Sequence, residues 1–230
     1  MFVPSSLLRF SEDRLQVFAL CFMTAVYVAK ISWILMFPAG KERQASTANG
    51  AADALRGARH SLLSVALPWE MPSTRKHPFL YAQFALFHAG VALSILMSFL
   101  IPYAPGSISG RTAVRILQAV FAAAFVAALL RMIRRIVNPY VRSISTPDDY
   151  FSLAILTIWL LLSVLAAPNR PERGEFWLVA YFILTAFLLV YVPFSKISHY
   201  LYYPFSRWYL GKTLGHRGVY PIRRRFSAHA

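Results

Sequence analysis

The chain has 230 residues, of which 57% are hydrophobic and 14% charged, with a mean hydropathy of +0.50. A water-soluble domain carries roughly 25% charged residues, so this composition excludes a soluble globular fold and belongs to the membrane class. The net charge of +15 does not signal nucleic acid, because the basic residues gather at the ends of apolar runs, as residues held near anionic headgroups do.

Crossing the hydrocarbon core takes about 20 apolar residues in a helix. An open chain in lipid has no alternative to helix, since every backbone polar group there needs an internal partner. The first qualifying run is Leu15–Phe37, after which Pro38 closes the span. Ser11–Arg14 precede it without a small-residue cleavage site after it, so no signal peptide is expected. The run holds Cys21, the one cysteine, which excludes an intrachain disulfide and thiol-held zinc or iron–sulfur clusters. It also holds Lys30, the one basic residue well inside an apolar run.

Residues 38–77 read as a polar cytoplasmic loop rich in Ala, Gly and Ser, expected to be the least ordered part unless a partner covers it. The second span is Pro78–Ile101, closed by Pro102, and the third is Ala113–Ile133. Thr146-Pro147-Asp148-Asp149 supplies an N-cap, a first-turn proline and two acids at the positive end of the fourth span, Tyr150–Ala167, which Pro168 closes. The fifth, Phe176–Val192, continues in weaker form to about Tyr203, followed by a cytoplasmic tail over 204–230. All nine acids lie outside the apolar runs, no internal repeat is present, and residues 1–230 read as a single all-α membrane domain.

Lys and Arg counts give the orientation. Seventeen fall in the 38–77 stretch, the turn after the third span and the C-terminal end. Six fall on the other side: Arg9, Arg14, Arg111, Arg115, Arg170 and Arg173. The richer side is cytoplasmic, which places the N-terminus outside and the C-terminus inside a prokaryotic inner membrane.

Six histidines are present, and His88 is the informative one because it lies inside a span. An intramembrane ionisable residue is a functional-site candidate by default. Counting from Pro78, His88 sits about 15 Å in from the cytoplasmic side, beside Ala89 and Gly90, whose small size would let a planar ligand approach. His199 lies toward the cytoplasmic end of the antiparallel fifth span. Two neutral imidazoles so placed can coordinate both faces of one haem iron. The plainer alternative is that His88 makes one interhelical hydrogen bond and His199 is an interfacial histidine. His77 and His216 form a rival pair near the same face, better suited to propionate contacts or a protein interface, while His60 and His229 read as solvated. The aromatic run from Tyr200 to Tyr209 reads as an interfacial belt, compatible with a docked cytoplasmic partner.

Three stretches carry a resemblance over most of the chain: Phe87-His88-Ala89-Gly90, Ser143-Ile144-Ser145-Thr146-Pro147-Asp148-Asp149 and Pro193-Phe194-Ser195-Lys196-Ile197-Ser198-His199. With their order, span number and orientation, the chain resembles the gamma subunit of respiratory nitrate reductase and related cytochrome b subunits of quinone-linked complexes. That family typically binds two b haems between the second and fifth helices. The resemblance assigns His88 and His199 to the cytoplasm-proximal haem, and Ser98 and Tyr181 to the positions of the outer pair. Neither Ser98 nor Tyr181 is a normal axial ligand, so it implies one retained haem b. Lys30 either snorkels to the interface or meets a haem propionate or quinone oxygen.

The implied function is an electron-transfer subunit between the quinone pool and a cytoplasmic iron–sulfur partner, with membrane lipid and quinone as its other contacts and no nucleic acid. The alternative is a haem-free membrane anchor of a larger complex. A cation-coupled carrier is disfavoured because no Asp or Glu lies within a span. No Ser–His–Asp pattern, phosphate loop or zinc-ligand spacing supports an autonomous hydrolase or transferase.

Overall fold

The computed structural model describes residues 3–38, 40, 42–46, 51–67 and 72–221. Every regular element among them is a helix: α1 (Ser6–Met36), α2 (Ala51–Leu63), α3 (Pro78–Tyr103), α4 (Arg111–Val137), α5 (Pro147–Ala166), α6 (Phe176–Tyr191) and α7 (His199–His216), with shorter helical turns between. Five are long and apolar enough to cross a membrane: α1, α3, α4, α5, and α6 with the 3-10 turn that follows it to Phe194. In α1 only 6% of the apolar window is buried, and the other four also turn much of theirs outward. In water such a surface would be penalised across its whole area; it is compatible with lipid contact.

The chain divides into two compact units. The first contains Met1–Ile31 and Ala82–Ile197, the second Ser32–Tyr81 and Ser198–Ala230.

In the first unit α4 and α5 pack along a small-residue seam, with Ala124 and Ala128 of α4 fully buried against a core that includes Leu160 and Trp159 of α5. Small side chains matter here because apolar attraction between helices is weak in lipid and association depends on close approach. Gly90 of α3 belongs to this seam. A Cβ at Gly90 would run into the Ala124 methyl and stand 3.4 Å from Leu160 Cδ2. Gly90 therefore admits a neighbouring helix, not the planar ligand expected from its size.

The start of α1 is fastened to α6. The Ser5 amide donates to Glu175 Oε1 (2.7 Å), and the Gln16 amide donates to the carbonyls of Ser11 and Phe182 (2.8 Å each). Residues Phe10–Arg14 form a π-helical turn, whose looser backbone leaves the Ser11 carbonyl able to take that side-chain donor.

The second unit is built on glycine. Helices α2 and α7 run antiparallel in backbone contact: a Cβ on Gly57 would stand 2.7 Å from Gly215 Cα, and one on Gly211 would stand 2.8 Å from Ala58 Cα. Arg207 of α7 donates to the Ser61 carbonyl (3.1 Å) and Ser64 Oγ (3.0 Å), satisfying acceptors at the end of α2. Arg217 grips the Glu42 carboxylate at 3.0 and 3.2 Å. The Gln44 amide, then this guanidinium, hold the Glu42 carboxyl below its ordinary range; its small contribution is present at neutral pH and fades as pH falls through that lowered value. Part of the stretch expected to be the least ordered loop is thus a helix, and its cover is α7 of the same chain.

Candidate functional site

His88 lies three turns into α3, in the first unit, and is half-buried. Its Nδ1 stands 2.8 Å from the Phe84 carbonyl oxygen, one turn back. A carbonyl only accepts, so Nδ1 carries the proton and donates, and in the neutral ring Nε2 holds the lone pair. The Phe84 ring centroid lies 4.1 Å from the imidazole and the Phe87 ring stands edge-on at 5.5 Å, which limits ring rotation. A backbone carbonyl on the far nitrogen is the arrangement that orients metal-bound histidines and raises their basicity.

Arg131 of α4 sits beside this site, its guanidinium 5.2 Å from the centroid of the Phe87 ring. It is half-buried and, among the described residues, pairs with no carboxylate. Hydropathy averaging hid it at the end of the third apolar run; the signal was an arginine inside the run's own limits.

The fifth span does not continue as one helix to 203. Helix α6 ends at Tyr191, a 3-10 turn covers Val192–Phe194, Ser195 is extended, a second 3-10 turn covers Lys196–Ser198, and α7 starts at His199. The cause is Pro193, which cannot donate to the ladder.

Two of the three motif stretches meet at this break. Asp148 accepts from the Tyr191 hydroxyl (2.5 Å) and the Lys196 amide (3.0 Å). Asp149 accepts from the Thr146 amide (2.7 Å), the Thr146 hydroxyl (2.9 Å) and the Lys196 ammonium (2.7 Å). The pair of acids thus closes the N-terminus of α5 and clasps the chain just before His199. Asp149→Ala should cost about 1–3 kcal/mol by removing a cap and a charged hydrogen bond together, read as a lower melting temperature in detergent. An unchanged midpoint would contradict the clasp.

Lys30 reaches the same break. Its ammonium donates to the Pro193 carbonyl and lies over the Phe194 ring, 5.2 Å from the centroid. His199 is exposed at the start of α7, in the second unit, so the two expected axial ligands fall in different units. Of the rival pair, His77 is exposed before α3 and His216 Nε2 donates to the Gln44 carbonyl (3.1 Å). His60 packs edge-on to Tyr220, and His229 lies outside the described residues.

Ser98 and Tyr181 stand in a closed layer. Tyr181 is 0% exposed, its hydroxyl donates to the Ser94 carbonyl (2.5 Å) and its ring stacks on Trp159 at 6.2 Å and 2°. Trp159 donates to Thr185 (2.8 Å), whose hydroxyl donates to the Tyr181 carbonyl (2.7 Å), and Ser98 donates to the Ile95 carbonyl (2.7 Å). Side chains pack this layer and satisfy one another's polar groups.

No protein-family model matches the chain, and no solved structure matches it. A curated protein of Nitratidesulfovibrio vulgaris (strain Hildenborough), named only "Protein", is 30% identical, with 68% of this chain and 71% of that one covered. The chain belongs to that protein's family. The relative's name assigns no activity, so function in this family rests on the residues themselves.

Among the described residues no three His, Cys, Asp or Glu side chains lie together in a metal-binding group. A haem does not need such a group, because the porphyrin supplies the equatorial ligands and the protein only the axial ones. With Nδ1 bonded to the Phe84 carbonyl, His88 would be able to hold a haem iron through Nε2.

Proposed function

We propose that this protein is the membrane cytochrome b subunit of a quinone-linked oxidoreductase complex, in a prokaryotic inner membrane with the N-terminus outside and the C-terminus cytoplasmic. It holds one haem b between His88 and His199 and passes electrons between the quinone pool and a cytoplasmic iron–sulfur subunit. The observation that carries this reading is the His88 Nδ1–H bond to the Phe84 carbonyl (2.8 Å), which fixes a ligand-type tautomer inside an apolar span.

When bound, the haem supplies reversible one-electron chemistry. The chain's own residues do the rest. Phe84 and Phe87 hold the imidazole in place, and the Asp148–Asp149 clasp holds Lys196 at the helix break. Arg131 offers a positive charge with no protein counter-ion among the described residues, suited to a propionate. With its ammonium on Pro193, Lys30 braces the helix break, which leaves Arg131 the better propionate candidate.

Arg131→Gln should lower the haem midpoint potential by about 50 mV, the scale of removing one nearby, partly screened positive charge. Potentiometric titration checks this, and an unmoved potential removes Arg131 from the site.

The packed layer around Tyr181 favours a second reading, the haem-free anchor, because it leaves no room where the resemblance places an outer haem. Purification with attached subunits separates the two. Electron transfer predicts a cysteine-rich soluble partner and reduction of the haem by quinol; an anchor predicts the partner with no haem in this chain.

A further inference from the structure

Four of the six basic residues assigned to the outer side converge on one cavity that the proposed electron-transfer role does not use. The cavity, about 450 Å³, lies within the first unit among the start of α4, the end of α5 and the start of α6. Arg111 and Arg115 reach it from α4, and Arg170 and Arg173 from the turn before α6. Gly174, at φ 124°, ends that turn in a conformation open mainly to glycine. None of the four arginines makes an ion pair among the described residues. Of the nearby acids, Glu175 accepts from the Ser5 amide, and Glu172 forms no ion pair among the described residues.

This charge is placed against two ordinary preferences. Outer loops are depleted in arginine, and a helix N-terminus disfavours cations because its own dipole is positive there. Helix α4 nevertheless opens with Arg111 and Arg115, has no acid in its first turn and takes no side-chain cap from Gly110. An anion in the cavity would relieve the mutual repulsion and meet both the guanidiniums and the uncapped amides. The rim is apolar and at the level where the spans end: Trp177 is 45% exposed and Leu165 36%.

We propose that this cavity binds a phosphate-bearing anion, supplied by the headgroup of an anionic phospholipid whose acyl chains lie on the apolar rim. Guanidinium forks suit a phosphodiester bidentately, and basic pockets between membrane helices are recurrent headgroup sites. The proposal is independent of the haem assignment.

The test uses the purified full chain in detergent, titrated with cardiolipin, phosphatidylglycerol, phosphatidylethanolamine and inorganic phosphate, with binding read by native mass spectrometry. Anionic lipid should bind in preference to phosphatidylethanolamine. The double variant Arg115→Gln/Arg173→Gln should weaken it roughly tenfold or more, while Arg142→Gln, outside the cavity, should not. If the glutamine variant fails to fold, Arg115→Lys/Arg173→Lys serves, with charge kept but fork geometry lost and an intermediate weakening expected. Phosphate binding without lipid preference would overturn the lipid source and assign the site to a soluble anion. Equal anionic-lipid binding by wild type and double variant would overturn the site itself.

Discussion

His88→Ala should remove the b-type haem signal from the purified protein, with haem per chain falling tenfold or more. One hydrogen bond sets the ring's orientation. With Nδ1 donating to the Phe84 carbonyl at 2.8 Å, the lone pair of a neutral ring falls on Nε2, and no other side chain on α3 offers an axial nitrogen at that depth. Alanine deletes the ligand and leaves the helix intact, since it favours helix. His77→Ala and His216→Ala should leave the haem content unchanged, because the proposed site uses neither and His216 Nε2 is committed to the Gln44 carbonyl. Full haem in His88→Ala, or loss in either of the other two, would move the site.

Gly211→Val should separate α2 from α7 at a cost of about 3 kcal/mol or more, the range of severe overpacking. A Cβ at this position stands 2.5 Å from Ser61 Cβ and 2.8 Å from Ala58 Cα, and the latter is backbone that cannot swing aside. The helices must part, and the Arg207 and Tyr203 bonds to Ser61, Ser64 and Leu62 go with them. Hydrogen exchange should show lost protection across residues 53–63. Gly106→Ala is the control, since nothing lies within 4 Å of its would-be Cβ. Retained protection in Gly211→Val would contradict the backbone contact.

The five apolar helices were legible because a 20-residue run averages out local exceptions. The α5 N-terminus was legible because Pro147, Asp148 and Asp149 act within one turn. Helix α2 was not. Its face of Ala54, Gly57, Ala58 and Ser61 reads as loop composition until Gly211 and Gly215 are known to press against it, and such a complement lies too far along the chain for a local window to join. Gly90 failed in the same way: smallness says that something comes close, not what, and here it is Ala124. Tyr181 was readable as unable to replace an axial histidine, but its bond to the Ser94 carbonyl and its stacking on Trp159 depend on three helices meeting. The outer arginines were readable singly; that four of them face one cavity is a property of the fold.

The proposed site needs one imidazole from α3 and another from the head of α7 to serve a single iron. Low-temperature electron paramagnetic resonance of the oxidised wild-type protein, with haem quantified on the same sample, addresses this most directly. One b haem per chain is expected, with the low-spin signature of two imidazole ligands. A haem-free protein, two haems per chain, or a high-spin iron would contradict it.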